Sequence, residues 1–289
     1  MDLSIIIPSF NTERLLDRCL SSIFTSLEGS SLMYEVIVID NASEDASIKL
    51  LHKKYPRVQI ISNKENLGFG KANNQGIKKA KGKFILLLNS DIEALDGAIE
   101  GLWRFAKGQK KSFVGGKLLN EDGSPQASAG PMYSLPVVFV MLFCKGDQLG
   151  ITRWSPRKVK QVDWVSGACV IAPRSAFVDV GLFDEGIFMY MEEIEFLYRA
   201  AKRGYTTLFY PAARFIHSGA ASSGSRRTPV VNIYTGLLYF YRKHQSRVAY
   251  DLLRDMLIVK ALAAMLVGRI IRRSDLFQTY EKALAMAQR

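Results

Sequence analysis

Phe84–Glu93 reads "FILLLNSDIE": five apolar residues in succession run straight into Asn89, Ser90 and Asp91. An apolar run of that length, bounded by polar residues, reads as a strand buried on both faces, and such strands belong to parallel sheets covered by helices. In open α/β sheets, ligands bind beyond the carboxyl ends of the strands, so a carboxylate carried there stands where a ligand is held.

Outward from this strand, the first part of the chain alternates strands with helices. "LSIIIPSF" is a first strand, and "TERLLDRCLSSIF" a helix with Leu15, Leu16, Cys19, Leu20 and Ile23 on one face. "YEVIVIDNAS" is a second strand that again ends in a carboxylate, Asp40. A Lys- and Leu-rich helix, the strand "VQIIS", the turn "NLGFGKANNQG", a short helix and "KFILLLNSD" complete the series. These are βαβ units, whose right-handed crossovers gather the strand ends, and with them Asp40 and Asp91, at one edge. "GFGKAN" (Gly68 to Asn73) matches only the start of a dinucleotide fingerprint. It follows the third strand and lacks the third glycine, which argues against an NAD site. Its glycines still let backbone approach a phosphate or sugar closely. No internal repeat is present, and "SGAASSGSRRTP" (Ser218 to Pro229) reads as a linker.

The 289 residues suffice for one large domain or two modest ones. With 48% hydrophobic and 23% charged residues the chain is globular and not disordered. Cys19, Cys144 and Cys169 form no C-x-x-C pair, so neither a disulfide framework nor a zinc knuckle is indicated, and a reducing compartment is the simplest reading. "MDLSIIIPSFN" has Asp2 in place of a basic region and is not read as a signal peptide, so the expected residence is cytoplasmic. The net charge is +12, and from Arg226 onward twelve Lys/Arg face four Asp/Glu, an excess of +8. This quarter holds "MLIVKALAAMLVGRIIRR" (Met256 to Arg273), shorter and more interrupted than the ~20 apolar residues of a membrane span. It reads as a basic, apolar-faced helix lying on anionic lipid, with packing against the protein's own core as the competing reading. A transmembrane hairpin is the third, and "YSLPVVFVMLFC" (Tyr133 to Cys144) is a second apolar segment able to dip into lipid. Nucleic acid is not an expected partner, because no nucleic-acid module is visible.

"SIIIPSFN", "VIVIDNAS", "NKENLGFGKANNQG", "FILLLNSD", "DWVSGACVIAPRSAFVDVGLFDEGIFMYMEEIEFLYRAAKRGY" and "ARFIHSG" occur in that order. Together they resemble the family 2 inverting glycosyltransferases of the GT-A fold, and among them the rhamnosyltransferase-like branch of bacterial cell-surface polysaccharide synthesis. The resemblance, which covers roughly residues 3 to 220, implies an α/β fold with a Rossmann-like, mainly parallel sheet flanked by helices, and the last quarter reads beside it as a basic, apolar helical C-terminal extension. This divides the chain into a glycosyltransferase domain, 1–225, and the extension, 226–289. Within the domain, 1–117 is the nucleotide-sugar half and 118–225 the acceptor and catalytic half.

Site residues follow from the same resemblance. Asp40 resembles the acid that hydrogen-bonds the donor's pyrimidine, the alternative being a cap on the next helix. Pro8, Asn11, Asn66, Gly68 and Asn73 join it around the donor. Asn89-Ser90-Asp91 stands where the family has D-x-D: Asp91 would hold a metal on the donor pyrophosphate, and Asn89, replacing the first acid, faces the ribose. The competing role for Asp91 is an N-cap. His217, in "FIHSG", resembles a further metal ligand and is otherwise structural. The family's Glu-Asp motif falls on Glu192 and Glu193, the second being the base; Glu in place of Asp leaves the choice between them open. Glu192 and Glu195 lie at i and i+3, and a solvated acidic face, with Arg199 at i+4 from Glu195, is the plainer reading of this cluster. Trp164, Gly167 and Ala168 in "WVSGAC" look like the segment bordering the acceptor, although Trp164 equally suits a core. Asn120 to Gly150 suits a mobile lid or plain irregular structure.

The chemistry needs these types. A departing nucleoside diphosphate gathers negative charge that a fixed cation must stabilise. A carboxylate, phosphate oxygens and water suit Mg²⁺ or Mn²⁺, and an imidazole tilts the choice to Mn²⁺. Inversion at the sugar carbon needs a base for the acceptor hydroxyl. The expected activity is transfer of a sugar, for example rhamnose from dTDP-rhamnose, from a dTDP- or UDP-sugar to a glycan or polyprenyl-linked acceptor. The expected place is the inner face of the cytoplasmic membrane, with the protein peripheral. A catalytically inactive membrane-bound scaffold is the alternative. A sugar-1-phosphate nucleotidyltransferase is disfavoured, since "PSFNTERLL" has no Gly-rich, Arg-bearing loop.

Overall fold

The computed structural model describes residues 1–219 and 227–288. In chain order, β1 (Leu3–Ser9), α1 (Glu13–Ser26), β2 (Tyr34–Asp40), α2 (Ser47–Lys54), β3 (Gln59–Ser62), α3 (Phe69–Lys79) and β4 (Phe84–Leu88) alternate strand with helix. β5 (Ile92–Ala94), α4 (Ala98–Lys107), β6 (Ser112–Leu119), β7 (Ala129–Gly130) and α5 (Leu135–Phe143) follow. Then come β8 (Lys160–Val162), β9 (Trp164–Val165), β10 (Cys169–Pro173), α6 (Arg174–Val180), α7 (Glu192–Lys202) and β11 (Thr206–His217). Three helices end the chain: α8 (Arg227–His244), α9 (Arg247–Ile270) and α10 (Ser274–Ala287).

The main sheet runs β3-β2-β1-β4-β10-β6-β11-β5, with β8 on the flank of β11. It is parallel from β3 to β4 and between β6 and β11, and antiparallel where β10 enters and where β5 and β8 join β11. The apolar runs form strands because both sheet faces are covered, and successive side chains go to opposite faces. Leu3, Ile5, Ile7, Leu86 and Leu88 enter one core with Leu16 and Leu20 of α1 and Leu102 of α4. Ile6, Ile85 and Leu87 enter the other, with Ile77 of α3 and Phe196 of α7. The α/β architecture expected from the sequence, with its largely parallel sheet between helices, is the one observed.

The C-terminal helices join the second core. Tyr234, Leu237 and Tyr241 of α8, and Tyr250, Leu253, Leu257 and Ala261 of α9, are buried in it. The α9 set is spaced by three or four residues, one helical face. Ser246 caps α9 by accepting from the Ala249 amide at 3.2 Å. Core packing therefore holds for the inner face of the segment Met256–Arg273. Its outer face, with Val259, Leu262, Leu266 and Ile270, is exposed. Among the described residues no helix is long and apolar enough to cross a membrane. Of the linker read at Ser218–Pro229, residues 220–226 lie outside the described residues, and the boundary after residue 225 falls among them; 227–229 already belong to α8.

Candidate active site

β1, β2 and β4 end side by side, as parallel neighbours must. The Thr12 hydroxyl donates to Ser90 Oγ at 3.0 Å and pairs with Ser9 Oγ at 2.9 Å, tying the end of β1 to the turn after β4. A strand, β5, follows Asp91, so the N-cap role does not arise. β5 pairs with β11 in a register that sets His217 opposite Ile92. Its imidazole thereby comes beside Asp91, Nε2 lying 3.4 Å from Oδ1. The Gln126 amide nitrogen donates to Asn120 Oδ1 at 3.1 Å and to the His217 carbonyl at 3.3 Å. Its oxygen is then left to accept from His217 Nδ1 at 2.6 Å. With Nδ1 held in this way, Nε2 faces a carboxylate oxygen, and a proton or a bound cation between the two would join them. One nitrogen and one hard oxygen fit Mn²⁺ or Mg²⁺. Among the described residues no group of three or more His, Cys, Asp or Glu side chains is placed to hold a metal. An ion here would therefore draw its remaining ligands from substrate and water.

Asp91 and His217 open into a cavity of about 440 Å³ that is also lined by Pro8, Asn66, Gly68, Asn89, Trp164, Gly167, Ala168, Glu192 and Glu193. Eleven of the fourteen expected site residues thus share one wall system; Asn11, Asp40 and Asn73 do not line it. Asn11 is a latch: its amide donates to Ser43 Oγ at 2.9 Å and its Oδ1 accepts from the Glu44 amide at 2.8 Å. Asn73 is buried and donates to the Phe69 carbonyl within α3. Asp40 is 2% exposed. Its Oδ2 accepts from the Ser43 amide at 3.1 Å, and its Oδ1 is buried with no partner among the described residues. Asp40 does not cap the next helix, whose N-cap is Ala46; Asp45 Oδ1 accepts from the Ser47 amide at 3.0 Å. Gly68, at φ +81°, starts α3, and an added Cβ would stand 2.2 Å from the Phe188 carbonyl oxygen, so only glycine fits. The Asn66 Oδ1 accepts from the Gly68 amide and holds this turn.

Glu192 and Glu193 begin α7 after two non-glycine residues in the left-handed region, Tyr190 (φ 64°) and Met191 (φ 75°). Such a corner persists only where packing over-determines it. Here α8 supplies the packing, for a Cβ on Gly236 would meet Met191 Cβ at 2.7 Å. Both Oε2 atoms are buried without partners among the described residues. Burial, and then the Glu193 charge, push the Glu192 carboxyl well above the ordinary range. Burial raises Glu193 too, but its own amide, the Arg153 guanidinium and the Gly167 amide pull it back. A carboxyl pair whose members are pushed unequally apart is an acid–base arrangement, with Glu193 the more readily ionised.

Glu195, one turn on, has another task. It is fully buried and accepts from Arg199 Nε at 2.9 Å, Lys243 Nζ at 2.8 Å and His244 Nε2 at 2.9 Å. Although burial works to raise it, Arg199, Lys243 and His244 hold its carboxyl below the usual range. The expected acidic face with Arg199 is therefore a buried link between α7 and α8. Trp164 is 2% exposed, donates to the Pro131 carbonyl at 2.8 Å and lies under the Arg153 guanidinium at 5.6 Å. It is a wall of the cavity with no broad face free for a sugar.

Sequence reasoning missed Gln126, Tyr133 and Arg153 on one side and Asn232 of α8 on the other, of which the last three line the cavity. The 120–150 segment contains β7 and α5, and the extension supplies part of the site. No local periodicity marks either feature, because tertiary packing brings them in.

A Rossmann-like parallel half and a mixed half, with Asp91 and two buried carboxyls lining one cavity at the strand ends, make an α/β fold of the GT-A type. Residues 4–136, just under half of the chain, match the sequence profile of Glycosyl transferase family 2. It is 29% identical over 229 residues to the N-acetylglucosaminyl-diphospho-decaprenol L-rhamnosyltransferase of Mycobacterium tuberculosis, covering 72% of this chain and 73% of that protein. It is 27% identical over 208 residues to rhamnosyltransferase WbbL of Escherichia coli K12, covering 68% and 78%. Among solved structures, GalNAc-T7 with UDP, GalNAc and Mn²⁺ matches with a TM-score of 0.62 at 20% identity, over 83% of this chain and half of that one, a likeness of fold.

Proposed function

We propose that the protein is an inverting, divalent-metal-dependent glycosyltransferase that takes a dTDP- or UDP-sugar, with rhamnose the first candidate. The acceptor is a glycan or polyprenyl-linked sugar of cell-surface polysaccharide synthesis at the cytoplasmic membrane face. The observation that carries the reading is the Asp91–His217 pair, 3.4 Å apart, in one cavity with Glu193. The rhamnosyltransferase names of two relatives and the Mn²⁺ and UDP of a fold neighbour support it. When bound, the metal would offset charge on the departing diphosphate. Asp91 and His217 hold it, and Glu193 takes the proton of the attacking hydroxyl while Glu192 stays protonated beside it. The free Oδ1 of Asp40 suits the N–H of a pyrimidine. We take 1–117 as the donor half, 118–225 as the acceptor and catalytic half, and 226–289 as an extension whose outer α9 face rests on anionic lipid.

The test is nucleotide release from a panel of dTDP-, UDP- and GDP-sugars, with Mn²⁺ or EDTA and membrane extract as acceptor. Release from one donor, lost with EDTA and in Asp91→Ala, is expected. No release from any donor by folded protein would overturn the reading.

A further inference from the structure

Among the described residues lining the cavity, Arg153 is the only lysine or arginine, and beyond its charge on Glu193 the proposed function gives it no task. Its backbone is fixed on both sides: Thr152 is buried, and the Trp154 amide donates to the Ala129 carbonyl at 2.8 Å. Its guanidinium rests on the Trp164 ring, and its Nε is buried with no partner among the described residues. A planar guanidinium pre-set in this way, its Nε unpartnered among the described residues, suits a phosphate, which takes two N–H groups side by side.

Which phosphate is decided by the surroundings. The donor diphosphate belongs with Asp91 and His217, whereas Arg153 acts on Glu193, where the acceptor hydroxyl must come. The chain around Arg153 is apolar and outward. Ile151 and Leu149 are more than half exposed, and α5 turns Met141 into the cavity while leaving Phe139 and Phe143 in tilted ring contact with each other at the surface. Asp147 is the carboxylate on the same wall; it is exposed to water and accepts from the Thr152 hydroxyl.

We propose that Arg153 binds the phosphate of an amphiphilic acceptor, a sugar joined through phosphate to an apolar chain, with the chain passing over Ile151, Leu149 and the outer side of α5. This rests on the transfer reading and adds a residue and a charge to its acceptor.

Farnesyl diphosphate, titrated in EDTA so that no ion bridges it to Asp91 and His217, is the probe; farnesol and UDP with Mn²⁺ are the controls. The wild type is expected to bind farnesyl diphosphate at least tenfold tighter than farnesol. Arg153→Gln should erase that difference, Arg153→Lys should recover part of it, and both should bind UDP with Mn²⁺ within twofold of wild type. Asp91→Asn should do the reverse. Equal binding of the two farnesyl probes to wild type, or unchanged farnesyl diphosphate affinity in Arg153→Gln, would overturn the proposal. So would loss of UDP affinity in Arg153→Gln, which would move the residue to the donor. Absence of any nucleotide binding by the wild type would strike the transfer reading itself, leaving the farnesyl diphosphate comparison to judge Arg153 separately.

Discussion

Substituting glutamine at Glu193 and at Glu192 separates the two carboxyls by their protonation. Both side chains are buried, and each keeps an unpartnered Oε2 among the described residues, but burial and the neighbouring charge hold Glu192 the more firmly protonated. Glutamine copies the shape of a protonated glutamate and cannot take a proton. Glu193→Gln should therefore lose a general base, about 10²- to 10⁴-fold in kcat, or about 2.7–5.4 kcal/mol at 1.36 per tenfold. Glu192→Gln should stay within roughly threefold of wild type, since it replaces a neutral group by a neutral one. Stability adds a second readout with a defined sign. A carboxyl raised in the folded state contributes stability that is fully present below its unfolded pKa and lost as pH rises through the folded value. Glu192→Gln removes that loss, so its Tm relative to wild type should climb between pH 5 and pH 9. Initial rates with a saturating donor, and thermal melts across that range, measure both. Equal loss of kcat in the two variants, or more than a tenth of wild-type activity in Glu193→Gln, would refute the assignment of the base.

Three further outcomes are expected. His217→Ala should abolish the rise in Tm that Mn²⁺ and UDP together produce over the variant's own ligand-free value, because the ligands stabilise only through the site; a full rise in the variant would remove His217 from the metal. Leu253→Ala, at a fully buried α9 position, should cost about 2–5 kcal/mol in a single denaturation transition, and a cost below about 1 kcal/mol would mean that α9 is not part of the core. Leu262→Glu with Leu266→Glu, both more than half exposed, should leave Tm unchanged but lower binding to phosphatidylglycerol vesicles by about tenfold or more; unchanged sedimentation would rule out this face as the lipid contact.

The sheet was legible because its strands are runs such as "FILLL", whose residues must all be buried and so must all be apolar. Asp91 was legible by its place at a strand end. His217 was singled out by its motif, but its place beside Asp91 came only from the β5–β11 register, a pairing of segments more than 100 residues apart. Asp40 read as either a donor contact or a helix cap, and only the hydrogen bonds show that its carboxylate reaches the Ser43 amide and not α2. In "MLIVKALAAMLVGRIIRR" both a core face and an outer face are apolar, so the 3.6 period that would orient the helix is blurred, and lipid and core readings each described one side. Arg153 and Asn232 were invisible for a different reason: a loop arginine and an asparagine in a helix carry no pattern, and only the packing of α5 and α8 around the cavity gives them neighbours.

That packing also decides how the extension can be studied. Truncating the last three helices would remove Lys243 and His244 from a fully buried Glu195, leaving Arg199 as its sole charged partner. Breaking a buried ion pair costs about 3–5 kcal/mol, and the same cut would strip Gly236 and its helix from the strained Tyr190–Met191 corner that aims Glu192 and Glu193. A truncated chain that left the membrane and lost activity would thus say nothing about lipid, since the catalytic corner would have been released as well. Charge placed on the outer face of α9 touches neither Glu195 nor the corner. If activity toward a lipid-linked acceptor falls with such a variant while nucleotide binding holds, membrane contact acts on delivery of the acceptor; if both fall together, the outer face is coupled to the fold of the site through α8.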